Sequence, residues 1–324
     1  MKKTARAAFA LLLLFAFSGL SYGWNESGHM AVAYVTYRNL NSATRARVDK
    51  LIELNPRYQI WLKRIPPGTP SSTRRLMLFM IAATWADEIK GDGQHVADGP
   101  ENGNIPPSDG TADDNIGYSD RAMHKYWHFV DLPFSTDGTT ISPPEIPNAK
   151  TQIAAFRKVL QSSTATAALK SYDLVWLMHL VGDVHQPLHC AARFTEQSPK
   201  GDAGGNFVQV CNPQCGTNLH SFWDGLFGSA SDPVVVMKLA QGLPAPHPFF
   251  ASNTNAVVWI DESFRLAKKV VYGSPIGAGN GPYSITNQYR TNATRIARER
   301  ISLAGARLAR ILNAELKQGE ANSE

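Results

Sequence analysis

The feature that most constrains this chain is a set of five short segments that carry histidine or aspartate beside large apolar residues. Along the 324 residues they are 24–29, 85–90, 126–131, 179–189 and 220–224. Burying histidine and aspartate among tryptophan, phenylalanine and leucine is costly unless something pairs with them. A divalent ion pairs with several such groups at once. The five segments therefore predict a fold that brings them together at a metal centre.

Two of these segments have the spacing of metal ligands on a helix. His179 and Asp183 are four residues apart, and so are His220 and Asp224. Residues at this spacing share one face of a helix and can reach the same ion. Either pair alone is more often a salt bridge than a metal site, so it is the joint pattern of five segments that favours metal binding.

Helical patterns dominate the rest of the chain. We predict helices over residues 25–40, 76–89, 147–160, 171–184, 249–272 and 283–316. A short strand is predicted over residues 207–210, and loops over residues 91–117 and 132–144. Pro187 ends or bends the helix before it, which lets His189 point toward a neighbouring metal site. These patterns predict a mainly α fold class. Because the sequence shows no internal repeat and no linker, we predict a single compact helical domain over residues 24–324.

The first 23 residues have the pattern of a secretory signal peptide. A basic start precedes an apolar run over residues 7–17, and Gly23 is a small residue directly before Trp24. The run is shorter than the ~20 residues of a membrane span, so an uncleaved anchor is the lesser alternative. We expect a secreted or periplasmic protein with no membrane anchor after cleavage. Removal of residues 1–23 lowers the formal net charge of +5 by three, to +2, which is too little to grip nucleic acid by charge alone.

The three cysteines predict one small disulfide and no cysteine-based zinc site. Cys211 and Cys215 enclose a tight turn and can form a small-loop bridge in an exported protein. Cys190 is left over. A set of thiolate ligands is not expected, because no second pair of closely spaced cysteines is present.

The five segments resemble, in order and spacing, the zinc-dependent single-strand nuclease family of the S1/P1 type, and this resemblance runs from Trp24 to about Asp224. It implies three zinc ions per chain. The implied ligands are Trp24 and His29 for the first ion, Asp87, His128 and His179 for the second, Asp183 as a bridge between these two, and His189, His220 and Asp224 for the third. The family binds its first ion through the free α-amino group and carbonyl oxygen of the N-terminal residue. This site therefore depends on cleavage before Trp24.

The resemblance also implies the reaction. The expected activity is that of an endonuclease and 3′-nucleotidase, which hydrolyses phosphodiester bonds of single-stranded DNA and RNA to 5′-phosphate products by a metal-activated water. The implied catalytic residues are Asp87, Lys90 and Asp183, with Lys90 steadying charge on the phosphate at a position where the family often has arginine. The implied base-binding residues are Phe129, Asp131 and Asn206. A base inside a duplex hides its face and its pairing edge, so single strands are the expected substrate.

Two other functions compete with this interpretation. Zinc phospholipases C, which act on lipid head groups, share the general ligand arrangement but usually have a His and Glu pair where this chain has His220 and Asp224. A periplasmic zinc-binding protein without turnover is the third hypothesis, and Lys90 argues weakly against it. The expected partners are single-stranded DNA, RNA and 3′-nucleotides as substrates. We expect a monomer without a stable protein partner.

Two further histidines lie near the motifs. We interpret His185 as a group that supports a metal ligand, because it follows Asp183 by two residues and faces another way on a helix. We interpret His95, inside the loop over residues 91–117, as a candidate substrate contact.

Overall fold

The computed structural model describes residues 24–316. The predicted signal peptide, residues 1–23, lies outside the described residues. Helices dominate the described chain, which confirms the mainly α class and the single compact domain. The α-helices are α1 (Glu26–Arg38), α2 (Ser42–Ile52), α3 (Tyr58–Leu62), α4 (Ser71–Ala82), α5 (Trp85–Glu88), α6 (Pro100–Gly103), α7 (Ala149–Gln161), α8 (Ala167–Asp183), α9 (Leu219–Asp224), α10 (Pro233–Gln241), α11 (Pro248–Ala251), α12 (Ala256–Leu266) and α13 (Asn287–Glu315).

The strands are short and form two small sheets. They are β1 (Leu132–Ser135), β2 (Ala191–Phe194), β3 (Gln209–Cys211), β4 (Cys215–Asn218) and β5 (Tyr283–Ser284). Strands β1 and β2 pair in parallel, and β3 pairs antiparallel with β4 and parallel with β5. The predicted disulfide is present between Cys211 and Cys215 and joins β3 to β4. Cys190 is buried as a free thiol.

Helix α8 is the centre of the domain. Every residue from Ser171 to Asp183 is buried, which is typical of a helix that is apolar on all sides and runs through a protein interior. The Thr166 side chain caps its first turn by accepting a hydrogen bond from the Leu169 N–H (3.2 Å). Helices α1, α2, α5, α7 and α13 surround it. The last turn of α8 therefore presents its polar residues to the interior and not to solvent.

One predicted helix, over residues 76–89, is wrong as a continuous element. The structure separates it into α4 and α5, with Ala83 and Thr84 between them. The Thr84 hydroxyl bonds to the Ile81 carbonyl (2.7 Å) and to the Glu88 carboxylate (2.9 Å). A threonine that bonds to the preceding turn competes with the backbone ladder, and the break redirects α5 toward α8.

The predicted helix over residues 249–272 is also divided, into α11, α12 and a π-helical turn, Ala267–Val271. The Asn255 side chain starts α12 anew by accepting from the Val257 N–H (2.9 Å). The segment predicted as a loop over residues 132–144 begins with strand β1. This strand pairs with β2, which is distant in the sequence, so the residues around β1 carry no local pattern that would predict it. Among residues 24–316, no helix has both the length and the apolar character that a membrane crossing requires.

Candidate metal centre

The last turn of α8 faces the first turn of α1 through three ligand-type side chains. The His29 Nε2 atom lies 3.3 Å from the Asp183 Oδ1 atom, and the His179 Nε2 atom lies 3.3 Å from Asp183 Oδ2. The rings of His29 and His179 stack with their centres 3.7 Å apart. All three side chains are buried. The helical spacing predicted for His179 and Asp183 therefore does bring both onto one face.

A second group shares His179 and adds residues from two other elements. His128 ends a 3-10 turn, Lys125–His128, and its Nδ1 atom lies 3.1 Å from His179 Nε2 and 3.1 Å from Asp183 Oδ2. Asp87, on α5, has its Oδ1 atom 3.6 Å from His179 Nε2. The break before α5 is what brings Asp87 to this position.

A third group lies beside the first two. His189 belongs to a 3-10 turn, Pro187–Cys190, that follows α8, so the chain does leave its helical course before His189 as predicted. His189 Nε2 and His220 Nε2 lie 3.1 Å apart, and His220 Nε2 lies 3.5 Å from Asp224 Oδ2 on α9. In each of the three groups the donor atoms all lie within 4.8 Å of one another.

Trp24 is fully buried next to His29. Gly182 makes room there, because a Cβ atom at this position would lie 2.9 Å from His29 Nδ1 and 3.9 Å from Trp24 Cδ1. The Asn25 N–H donates to the Asp224 carbonyl (3.3 Å), which places the backbone of residue 24 beside the third group. The structure thus brings Trp24 to the cluster, and its role as a ligand stays a prediction.

Backbone carbonyls fix which nitrogen each ring offers. The Nδ1 atoms of three histidines bond to main-chain oxygens, namely His179 to Ala83 (2.8 Å), His189 to His128 (2.7 Å) and His220 to Gly204 (2.8 Å). Since a neutral imidazole has one N–H, each ring donates from Nδ1 and keeps its lone pair on Nε2. Such outer bonds are the usual support of histidine ligands.

These residues fit a set of divalent ions. The Nε2 lone pairs of His189 and His220 face each other at 3.1 Å, which is unfavourable unless a cation lies between them. Nitrogens that share one tetrahedral zinc are about 3.3 Å apart, given Zn–N bonds of about 2.0 Å. Both ring nitrogens of His29 and the Asp183 Oδ1 atom are buried with no hydrogen-bond partner among the described residues. Buried polar atoms of this kind call for a ligand.

Comparison with known proteins assigns the family. The sequence profile of S1/P1 nucleases matches residues 24–317. The chain belongs to the S1/P1 nuclease family. Endonuclease 3 of Arabidopsis thaliana is 31% identical over 323 residues, which covers 92% of each chain. Nuclease S1 of Aspergillus oryzae is 25% identical over 217 residues, which is 64% of this chain but only 56% of that relative. The predicted family and the predicted enzyme class, a hydrolytic nuclease that acts on phosphodiester bonds, are confirmed.

Burial sets the protonation of the candidate ligands. It lowers the pKa of His29 and of His179 to about 4, so both rings are neutral near pH 7 and can act as ligands. Burial raises the pKa of Asp183 to about 7, and the nearby His179 only partly offsets this. A cation beside Asp183 would favour its charged form and reverse the shift.

Lys90 lies at the edge of the cluster. Its ammonium Nζ atom is buried and lies 2.7 Å from Asp87 Oδ1. A cleft of about 1020 Å³ opens on Asp87 and on Asp224, so the cluster can be reached from outside on this side. The lysine is thus placed beside a candidate ligand, and its predicted contact with phosphate stays a prediction.

The three predicted base-binding residues lie on segments next to the ligands. Phe129 is half-buried against the main core, and Asp131 has a left-handed backbone (φ 50°). Burial, aided by the charge of Asp202, raises the pKa of Asp131 to about 8. Asn206 is half-buried, and its amide donates to the Ala203 carbonyl (2.7 Å). Their role in base binding is not tested by these contacts.

Sequence reasoning missed two residues behind the ligands, Gln186 and Asp202. The Gln186 amide donates to Asp224 Oδ1 (2.7 Å), and its oxygen accepts from the Leu188 N–H (2.6 Å). Its place between the ligand-bearing helix and Pro187 was the available signal. Asp202 lies in a glycine-rich stretch whose contacts depend on the tertiary fold.

The interpretation of His185 as a support for a ligand was wrong. Its ring accepts from Arg307 (Nε2 to Nη1, 3.0 Å) and donates to the Val181 carbonyl (2.7 Å), which places it between α8 and α13. The His95 ring is nearly covered and pairs with Asp92 (3.0 Å). Neither ring belongs to the three candidate metal groups.

Proposed function

We propose that this protein is a secreted zinc-dependent endonuclease and 3′-nucleotidase, which hydrolyses single-stranded DNA and RNA to 5′-phosphate products. One observation carries the proposal: three buried His/Asp groups, two of which share His179, lie side by side in a chain of the S1/P1 nuclease family. Nucleic acid is the substrate class that this family implies. Zinc, its number, the strand preference and secretion are the parts that we propose.

Zinc suits the donor set better than other common ions. Each group combines imidazole nitrogens with carboxylate oxygens, and histidine is an uncommon ligand for magnesium or calcium. The first group would hold one ion through His29 and Asp183, completed by the α-amino group and carbonyl oxygen of Trp24. The second ion would be held by Asp87, His128, His179 and Asp183, and the third by His189, His220 and Asp224.

The chain's own residues supply charge and orientation for hydrolysis. When bound, clustered divalent ions make a water more acidic and offset negative charge on a phosphate. The two Asp183 oxygens face different groups, Oδ1 toward His29 and Oδ2 toward His128 and His179, so this carboxylate would bridge the first two sites when both are occupied. The Lys90 ammonium adds a fixed positive charge beside Asp87, where a phosphate oxygen gains negative charge.

Recognition of a single strand follows from the proposed base pocket. The half-buried Phe129 ring can stack on a base, which is worth ~1–3 kcal/mol and tolerates any sequence. With its raised pKa of about 8, the Asp131 carboxyl carries a proton near pH 7 and can both donate to and accept from a base edge. Asn206 offers an amide with the same two capacities.

Export is supported by the N-terminal pattern and by the disulfide. Cleavage between Gly23 and Trp24 would release the α-amino group that the first ion needs, because a peptide nitrogen is a poor ligand. The Cys211–Cys215 bridge is typical of oxidising compartments. We therefore place the mature protein in the periplasm or outside the cell.

The test uses the mature chain beginning at Trp24. Bound metal is measured first, and turnover of single-stranded DNA, RNA, 3′-mononucleotides and phosphatidylcholine is then compared with and without a chelator. We expect three zinc ions per chain and chelator-sensitive cleavage of the nucleic acids and nucleotides. A chain that lacks zinc, or that keeps full activity after metal removal, would contradict the proposal, and lipid turnover alone would favour a phospholipase.

A second variant tests the N-terminal ligand. One residue added before Trp24 converts its α-amino group into a peptide nitrogen without changing any side chain. We expect one zinc ion fewer and a large loss of activity. Full zinc content and activity in this variant would show that Trp24 is not a ligand.

A further inference from the structure

The loop over residues 201–206 has an unusual backbone for a segment beside a metal group. Gly201, Ala203, Gly204 and Gly205 all have φ angles in the left-handed region, at 93°, 50°, 60° and 81°. Such a run cannot continue a helix or a strand. Its shape has to be held by side-chain contacts, and Asp202 lies in its middle.

Asp202 anchors this loop from inside. Its side chain is buried, and its Oδ1 atom accepts from the N–H groups of Arg193 (3.0 Å) and Gly205 (3.1 Å). The Tyr272 hydroxyl donates to its Oδ2 atom (2.8 Å). The Arg193 guanidinium is held in turn, because it lies 4.6 Å over the Tyr272 ring and donates to carbonyls in the segment 277–279.

The anchored loop joins the third metal group to the proposed base pocket. At one position the Gly204 carbonyl accepts from His220 Nδ1 (2.8 Å), the bond that leaves His220 Nε2 facing the third metal group. A Cβ atom at Gly204 would lie 2.5 Å from the Leu188 carbonyl oxygen, so the loop is pressed against the turn that carries His189. Two residues later, Asn206 is the proposed contact to the base.

We infer that Asp202 is a positioning residue that holds the third metal group and the base pocket in one arrangement, so that metal retention and base recognition depend on the same carboxylate. This inference rests on the proposed function. The charge of Asp202 also contributes to the raised pKa of Asp131, the second proposed base contact.

The experiment compares Asp202→Ala with Asn206→Ala in the mature, metal-loaded protein. The two readouts are zinc per chain and the ratio of kcat/KM for a 3′-mononucleotide to that for bis(p-nitrophenyl) phosphate, which has no base. Asp202→Ala should lower zinc from three toward two, because groups behind a metal ligand usually contribute about 10- to 100-fold to metal affinity, and it should lower the ratio at least as far as Asn206→Ala does. Asn206→Ala should lower the ratio alone. Asp202→Asn keeps an oxygen for both backbone donors and should restore most of each readout.

Glu262→Gln is the matched control. Glu262 bonds to Arg300 (2.9 Å) and Arg307 (2.7 Å) and belongs to none of the three candidate metal groups, so this variant should lower thermal stability and leave zinc content and the ratio unchanged. Should Asp202→Ala fail to fold, Tyr272→Phe removes one hydrogen bond from the same carboxylate and should change both readouts in the same direction.

If a folded Asp202→Ala protein keeps the wild-type zinc content or the wild-type ratio, the inference about Asp202 is wrong, but the proposed function still stands. A wild-type chain without zinc would instead overturn the proposed function.

Discussion

Two buried clusters of polar side chains lie at the end of α8, and they differ in how their atoms are satisfied. One is the metal centre, and the other consists of His185, Glu262, Arg300 and Arg307. In the second cluster His185 bonds to Arg307 (3.0 Å), and Arg307 bonds to both Glu262 oxygens (2.7 and 2.8 Å). Arg300 adds a bond to the same carboxylate (2.9 Å). Here acids, bases and imidazole complete one another without any ligand.

The metal centre also combines buried histidines with acidic side chains, yet it is incomplete by itself. Both ring nitrogens of His29, the His128 Nε2 atom and the Asp183 Oδ1 atom have no hydrogen-bond partner among the described residues. A buried polar cluster whose atoms all have hydrogen-bond partners within the protein has a structural role. A cluster in which lone pairs face each other needs a cation to bind them.

The largest effect is expected for Asp183→Ala. Because Asp183 faces the first two groups at once, its removal should release zinc from both and lower kcat on the order of 1000-fold. Atomic absorption and steady-state kinetics measure the two changes. Glu262→Gln, in the self-satisfied cluster, should lower stability and leave zinc unchanged. Equal zinc loss in both variants would contradict the claim that only one of the two clusters binds metal.

Lys90→Ala should lower kcat about 100-fold, because a fixed positive charge near the phosphate is lost. Zinc content should stay at the wild-type level, since Lys90 is not a donor in any metal group. Lys90→Arg should recover part of the rate, and Arg265→Ala, a largely exposed cation that pairs with Asp261, is the control without effect. A zinc loss in Lys90→Ala comparable to that of Asp183→Ala would show that the lysine serves mainly to hold Asp87.

A third cluster, around His124, also finds its hydrogen-bond partners within the protein. The pH dependence of unfolding tests whether it stabilises the fold. Its ring lies between Asp120 (2.7 Å) and Asp98 (2.9 Å). Burial lowers the pKa of His124, but the two carboxylates outweigh burial and raise it overall. A raised pKa gives stability that is complete below about pH 6.5 and is lost as pH rises through the folded value. His124→Gln should therefore cost about 2 kcal/mol near pH 5 and less near pH 9, as urea unfolding would measure.

For His185→Gln, the loss of stability should change with pH in the opposite direction. Burial, followed by the charges of Arg300 and Arg307, holds the pKa of His185 well below its usual value. Wild-type stability is then lost as pH falls below about 6.5, so the cost of His185→Gln should shrink toward acid. The same pH trend in both variants would contradict these assignments.

The smallest effect is expected for Phe129→Ala. Loss of one stacking contact of ~1.4 kcal/mol should raise KM for single-stranded DNA about tenfold. The rate on bis(p-nitrophenyl) phosphate, which has no base, should not change. A KM that stays at the wild-type value would make Phe129 a core residue only.

Local features of this structure could be predicted from the sequence, because they depend on residues a few positions apart. The spacing of His179 and Asp183 places both on one face of α8, and Pro187 begins the turn that carries His189. The small loop of the Cys211–Cys215 bridge is equally local. The convergence of the five segments followed from the cost of burying their histidines and aspartates. Which residues share one ion came from the family resemblance, since spacing alone cannot bring Asp87 to His179.

Features that depend on distant partners could not be predicted. Strand β1 pairs with β2, with Leu132 opposite Ala191, and nothing in the composition near Leu132 indicates this partner. Asp202 has the same property, because its donors Arg193 and Tyr272 meet it only in the folded chain. The break at Thr84 was missed because a threonine fits a helix pattern until its hydroxyl finds the preceding carbonyl.

The most direct test of the metal centre is anomalous X-ray scattering from crystals of the mature protein, measured on both sides of the zinc absorption edge. We expect three zinc peaks. One would be bounded by Trp24, His29 and Asp183, one by Asp87, His128, His179 and Asp183, and one by His189, His220 and Asp224. No anomalous peak among these side chains, in crystals grown with zinc and without chelator, would contradict this expectation.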